Sequence, residues 1–126
     1  KWGLFDYPIL EEWYKNRVLL LGDACHPILP YLAQGASQAI EDSYVLYQCI
    51  KNNCDEDYST DFLKEYSDKR YLRVNKIKKA SKQNAFLYHL RNPILRLLFH
   101  LLLKAVGYFP NFILQRFNWI YSGGPL

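Results

Sequence analysis

At 126 residues, half of them apolar and 17% aromatic, the chain can pack one hydrophobic unit; it is too short for two ordinary domains and too apolar for disorder. Its net charge of +4 is mild, with Lys and Arg gathered in residues 64–82, and no basic module of the kind that grips nucleic acid stands out. The cysteines Cys25, Cys49 and Cys54 are odd in number and no secretory signal opens the chain, which points to free thiols in a reducing, cytoplasmic compartment.

Residues 1–16 mix aromatics with an acidic helical turn over residues 8–13. Next, Arg17-Val18-Leu19-Leu20-Leu21-Gly22-Asp23 reads as a short strand buried on both faces, apolar between a charge and a Gly-Asp pair. Such a strand belongs in a parallel sheet, yet no other segment reads as its partner, and an unpaired central strand leaves its backbone groups unsatisfied. With no methionine anywhere, position 1 included, the orphan strand implies a piece of a longer protein. A loop leads into a helix over residues 34–52, with Ala36, Ala39, Ile40, Ser43, Leu46, Tyr47 and Ile50 at steps of three and four. A second, unusually long helix starts at Ser59 or Thr60, both suited to N-capping. Leu63, Tyr66, Arg70, Val74, Ile77, Ser81, Asn84 and Leu87 trace one of its faces, and Asn92-Pro93 stops it. A strongly apolar helix over residues 94–106 and a shorter one over residues 111–121 complete the chain. The expected fold is mostly α, one buried strand and four helices, divided into a strand–loop–helix part (1–53) and a helical region packed on it (54–126).

The run Gly22-Asp23-Ala24-Cys25-His26-Pro27-Ile28-Leu29-Pro30-Tyr31-Leu32-Ala33-Gln34-Gly35-Ala36 carries the chemistry. A strand ending in Gly-Asp delivers a carboxylate to the edge of a sheet where α/β folds bind ligands, and a carboxylate accepts from the hydroxyls of a sugar or polyol. Pro27 and Pro30 stiffen the loop. Gly35 leaves the backbone bare at a helix start, where free N–H groups and the helix dipole favour negative charge. A polyol chain attached to an anionic ring suits such a place.

This run resembles the Gly-Asp-Ala-Ala-His-Pro motif of class A FAD-dependent monooxygenases, the para-hydroxybenzoate and salicylate hydroxylase type, and residues 30–36 look most like the salicylate branch. The likeness is specific over residues 17–42 and generic elsewhere. It implies the C-terminal part of an α/β, Rossmann-like FAD-binding fold in an oxidoreductase that uses NAD(P)H and O2 to hydroxylate a small aromatic substrate. By the same resemblance Gly22 and Asp23 serve the ribityl chain, Pro30 lies beside the flavin and substrate, and the backbone at Gln34, Gly35 and Ala36 sits against the isoalloxazine. Glu41-Asp42 matches an acidic pair common in the following helix. Cys25 replaces the usual Ala, and Ala33 stands where many relatives carry Gly. The chain has no Gly-x-Gly-x-x-Gly fingerprint for the pyrophosphate and no Asp-Gly motif. An N-terminal Rossmann portion is therefore the expected partner, and the chain alone is expected to be inactive.

No residue here is assigned a catalytic role. His26 is expected to brace the loop, and Cys25 beside it cannot share a thiolate with it, because neighbours on an extended chain face opposite ways. Cys49, Cys54, His89 and His100 lack metal-ligand spacing. Residues 64–82 read as a solvated basic face. Residues 97–103 read as a core helix too short to span a bilayer, with contact at a membrane surface the weaker reading. The competing function is a non-catalytic remnant or split subunit that docks through its helices or at a membrane surface.

Overall fold

The computed structural model describes residues 3–53 and 61–121. They form two compact units, residues 1–84 and residues 85–126.

The first unit opens on a hairpin. Strand β1 (Tyr14–Lys15) pairs antiparallel with β2 (Val18–Leu19), Tyr14 opposite Leu19 and Lys15 opposite Val18. The turn is Asn16-Arg17, with Asn16 at a left-handed φ of 54° that asparagine tolerates better than most residues. Two expectations fall here. The strand has a partner just upstream, and Val18 is 67% exposed, so β2 is not buried on both faces. Residues 8–13 carry no helical turn either. Trp13 is fully buried, its indole N–H donating to Leu10 O at 2.9 Å, and Leu10 N donates to Cys25 O at 3.0 Å. These bonds tie the segment to the loop after β2 instead of coiling it on itself.

Helix α1 (Gly35–Asn52) follows two short 3-10 turns, Gly22–Ala24 and Pro30–Leu32. Its bounds are those expected but its inner face is not. The buried stripe is Gln38, Asp42, Val45 and Cys49, while Ile40, Tyr47 and Ile50 are exposed. A purely apolar pattern misplaces this face because two of its four buried residues are polar and find their partner on the next helix.

That helix, α2 (Asp61–Tyr88), runs 28 residues. The capping residues expected at Ser59 or Thr60 lie outside the described residues. Leu63, Tyr66, Arg70, Val74, Ile77 and Ser81 are buried as the periodicity requires. The helix ends before Asn92-Pro93; Asn92 instead starts α3 (Pro93–Gly107), its Oδ1 accepting from Ile94 N at 2.9 Å and Leu95 N at 3.3 Å. Helix α4 (Pro110–Tyr121) follows. Against expectation α3 is no core helix, since none of its residues is buried.

The core of the first unit is a cluster of Trp13, Cys25, Val45, Cys49, Tyr66 and Val74. Trp13 sits at its centre, its ring 5.0 Å from His26, 5.9 Å from Tyr66 and 6.3 Å from Tyr71 between centroids. Trp13→Ala is expected to cost about 3–5 kcal/mol, read as a lowered urea midpoint of the full-length protein; Trp13→Phe should lose less than half as much.

Candidate functional site

Asp23 is placed by Gly22. Gly22 is buried at a φ of +58°, and a Cβ added to it would meet Ala39 Cβ at 3.2 Å, so no other residue fits this turn without strain. Its amide donates to Asp42 Oδ2 at 3.0 Å, reaching across from α1. The 3-10 turn so held leaves Asp23 exposed.

Asp42 is itself fully buried and collects three donors. Besides the Gly22 amide, His26 Nε2 lies 2.6 Å from Oδ2, and Arg70 Nε donates to Oδ1 at 2.7 Å. Arg70, 1% exposed, spreads its other N–H groups over Glu41 Oε2 (2.8 Å), Gln38 Oε1 (2.7 Å) and Gln38 O (3.3 Å). Arg73 adds a two-pronged bond to Glu41 at 2.6 and 2.9 Å. Burial alone would raise the pKa of Asp42, but the bonds from His26 and Arg70 outweigh it and hold the carboxyl below its ordinary value. Glu41 is lowered likewise, burial opposing and the bonds from Arg73 and Arg70 prevailing. His26 therefore does brace the loop, from a buried position. The adjacent thiol of Cys25 is pushed up to about 12 by burial and by the Asp42 charge, which rules out a thiolate there at neutral pH.

Helix α2 also holds the loop that follows. Lys78 Nζ donates to Pro27 O at 2.8 Å and to Tyr7 O, and Ser81 Oγ donates to Leu29 O at 2.7 Å. The loop then passes through Pro30, which is exposed, and through Ala33, which adopts a left-handed φ of 51°. That conformation is costly for a residue with a Cβ. Helix α1 starts with no side chain capping it. Gln34 is buried and its Oε1 accepts from Gln38 Nε2 at 3.2 Å, so it offers backbone rather than side chain to a ligand. Gly35 is half-buried and Ala36 exposed at the helix start.

The six expected residues Gly22, Asp23, Pro30, Gln34, Gly35 and Ala36 thus lie on two adjoining turns and a helix start. Two of them are demonstrably in contact range: a Cβ placed on Gly35 would stand 3.8 Å from Asp23 Oδ1. A carboxylate and a bare helix N-terminus therefore share one spot. That combination, an acceptor beside backbone donors with no Cβ between them, fits a polyol and an electron-rich ring edge. The pocket bordered by Glu11, Glu12, Tyr14, Lys64, Ser67 and Asp68 contains none of the six and takes no part in it.

Residues 5–81 match the sequence pattern of the FAD binding domain family. The chain belongs to that family. Among its relatives, 6-hydroxynicotinate 3-monooxygenase of Bordetella bronchiseptica is 38% identical over 93 residues, 74% of this chain and 24% of the relative. 3-Hydroxybenzoate 6-hydroxylase 1 of Aquipseudomonas alcaligenes is 34% identical over 123 residues, 97% of this chain and 30% of the relative. Salicylate hydroxylase of Pseudomonas putida is 30% identical over 122 residues, 96% of this chain and 26% of the relative. The chain spans less than a third of the length of these relatives. The resemblance of residues 22–36 to the FAD-dependent aromatic monooxygenases holds at the level of the family.

The parts not anticipated are Arg70 as the partner of Asp42 and Gln38 as a further acceptor for Arg70. One signal for them was present: an arginine in the middle of an otherwise apolar helical face must meet an acid across the interface.

Asp42→Asn should destabilise the full-length protein by about 3–5 kcal/mol, because Arg70 keeps its charge in a buried site. Both lowered carboxyls stabilise the fold above their unfolded-state values of about 4, and that share is lost as pH falls through the lower folded-state values. The acid limb of the stability profile should therefore be shallower in Asp42→Asn than in the parent, measured by urea unfolding from neutral pH downward. Ala33→Gly should raise stability by about 0.5–1 kcal/mol, since relief of the left-handed strain exceeds the added freedom of the unfolded chain, and a higher thermal midpoint would report it.

Proposed function

We propose that the full-length protein is an FAD-dependent monooxygenase that uses NAD(P)H and O2 to hydroxylate a small aromatic substrate, and that residues 22–36 form the ribityl and isoalloxazine side of its flavin site. The observation that carries this reading is the meeting of the Asp23 carboxylate with the bare start of α1 at Gly35, in a chain of the FAD binding domain family. Bound FAD supplies the redox and oxygen chemistry; the rest falls to the chain.

Asp23 accepts hydroxyls of the ribityl chain, held in place by the positive-φ turn at Gly22. Gly35 keeps the approach open. The amides at Gln34, Gly35 and Ala36, at the positive end of α1, face the flavin edge where negative charge collects on reduction, an oxyanion-hole-like use of backbone donors. Pro30, exposed on its short turn, borders the flavin and the substrate. Residues 1–53 form the flavin-facing part and residues 54–126 the helical region, with a Rossmann portion holding the pyrophosphate. The buried free thiols Cys25 and Cys49 suit a cytoplasmic location.

Two substitutions separate this reading from a structural one. Asp23 is exposed, so Asp23→Ala should leave the fold intact. It should weaken FAD binding by the full-length protein about 10- to 100-fold, the worth of hydrogen bonds to a charged group. Gly35→Val puts bulk at the helix start where only ordinary contact with Asp23 is met, and should also release FAD at an unchanged unfolding midpoint. Unchanged affinity in both, measured by flavin fluorescence on titration, would refute the assignment.

A further inference from the structure

Helix α3 is apolar around most of its circumference, yet none of its residues is buried. A helix of that character belongs inside a core or against lipid. Ile94, Leu97, Leu98, Leu101 and Leu102 are between 55% and 68% exposed. The polar exceptions are Arg96, His100 and Lys104, at steps of four, so they form one stripe about 80° wide along the helix. All three are exposed. At 15 residues, α3 is about 22 Å long against a hydrocarbon core of about 30 Å, and among the described residues no helix is long and apolar enough to cross a membrane.

Charge gives the second observation. Residues 85–126 contain Arg91, Arg96, Lys104 and Arg116 and no Asp or Glu at all. The twelve acidic residues all lie in residues 1–84, where they balance the other Lys and Arg, so the whole net charge of +4 belongs to the second unit. Tyr108 and Phe109, just past the end of α3, are 75% and 69% exposed, aromatic side chains of the sort that settle at a membrane–water boundary.

We propose that α3 lies flat on an anionic lipid surface, its leucines in the outer hydrocarbon and its Arg96–His100–Lys104 stripe among the headgroups. The geometry favours lipid over the alternatives. A peptide groove or a single partner helix covers one face, whereas the apolar arc of α3 takes up most of the turn, which a bed of acyl chains can accommodate. A second copy would bring another acid-free unit, and its charge would repel rather than pair. Long basic side chains, by contrast, reach from a helix bedded in the interface up to the phosphates, and anionic lipid attracts each of them. This inference does not depend on the flavin reading.

The test is sedimentation of the purified full-length protein with vesicles of phosphatidylcholine alone or of phosphatidylcholine and phosphatidylglycerol in equal parts. Binding should be about tenfold or more tighter to the anionic vesicles and should weaken with salt. Arg96→Glu with Lys104→Glu should abolish the preference for anionic lipid. Leu98→Ser with Leu102→Ser should abolish binding to both compositions. All four positions are exposed, so the variants should keep their far-ultraviolet circular dichroism and bound flavin absorbance. Protein that stays in the supernatant with both vesicles would overturn the proposal, as would vesicle binding that the leucine pair leaves unchanged. Sedimentation velocity showing a dimer that the leucine pair dissolves would overturn it too, assigning the face to a second copy.

Discussion

A carboxylate that leaves water must find its hydrogen bonds inside the protein, and Asp42 finds its own in three groups: the amide of Gly22, the ring of His26 and the guanidinium of Arg70. The first two belong to the loop and the third to α2, so one buried charge joins loop, α1 and α2. Magnitudes separate this centre from the ion pairs around it. An exposed pair such as Lys69–Glu65 contributes a few tenths of a kcal/mol, whereas removing one partner from a buried pair costs about 3–5 kcal/mol. The Gly22–Ala24 turn is thus held from behind by a buried carboxylate on α1. Asp23 can stay exposed and free to accept because its neighbour Gly22 is pinned from behind.

The helices were legible because they repeat. The bounds of α1, the inner face of α2 as far as Ser81, and the existence of α3 and α4 follow from spacing alone. The strand was not, since a two-residue hairpin leaves almost no periodic trace and four successive apolar residues imitate a buried strand. The inner face of α1 was misplaced for a related reason: Gln38 and Asp42 look solvent-facing until Arg70 is brought opposite them, and that meeting lies 28 residues away in sequence. For α3 the sequence shows hydrophobicity but not its destination. The six candidate residues came only from the resemblance of their motif to that of the aromatic hydroxylases, and the approach of Asp23 to Gly35 follows a positive φ at Gly22 that glycine allows but does not demand.

The family match ends at residue 81, close to the boundary between the two units at residue 84. Everything that braces the loop, from Trp13 to Ser81, falls inside it. The two units thus differ in kind: one is charge-balanced, folded about a buried tryptophan and tied by long-range hydrogen bonds, and the other is acid-free with leucines turned outward.

Arg70 also sets a timetable. It is synthesised 28 residues after Asp42, which at about 5–20 residues per second is a delay of roughly one to six seconds. Until Arg70 arrives the carboxylate cannot be buried without its cation, and the Gly22 turn has nothing behind it. Lys78 and Ser81, which clasp Pro27 and Leu29, come later still. On the ribosome the loop is therefore made early and shaped late. A nascent chain stalled anywhere between Asp42 and Arg70 would display the complete motif without yet having the turn that gives it meaning.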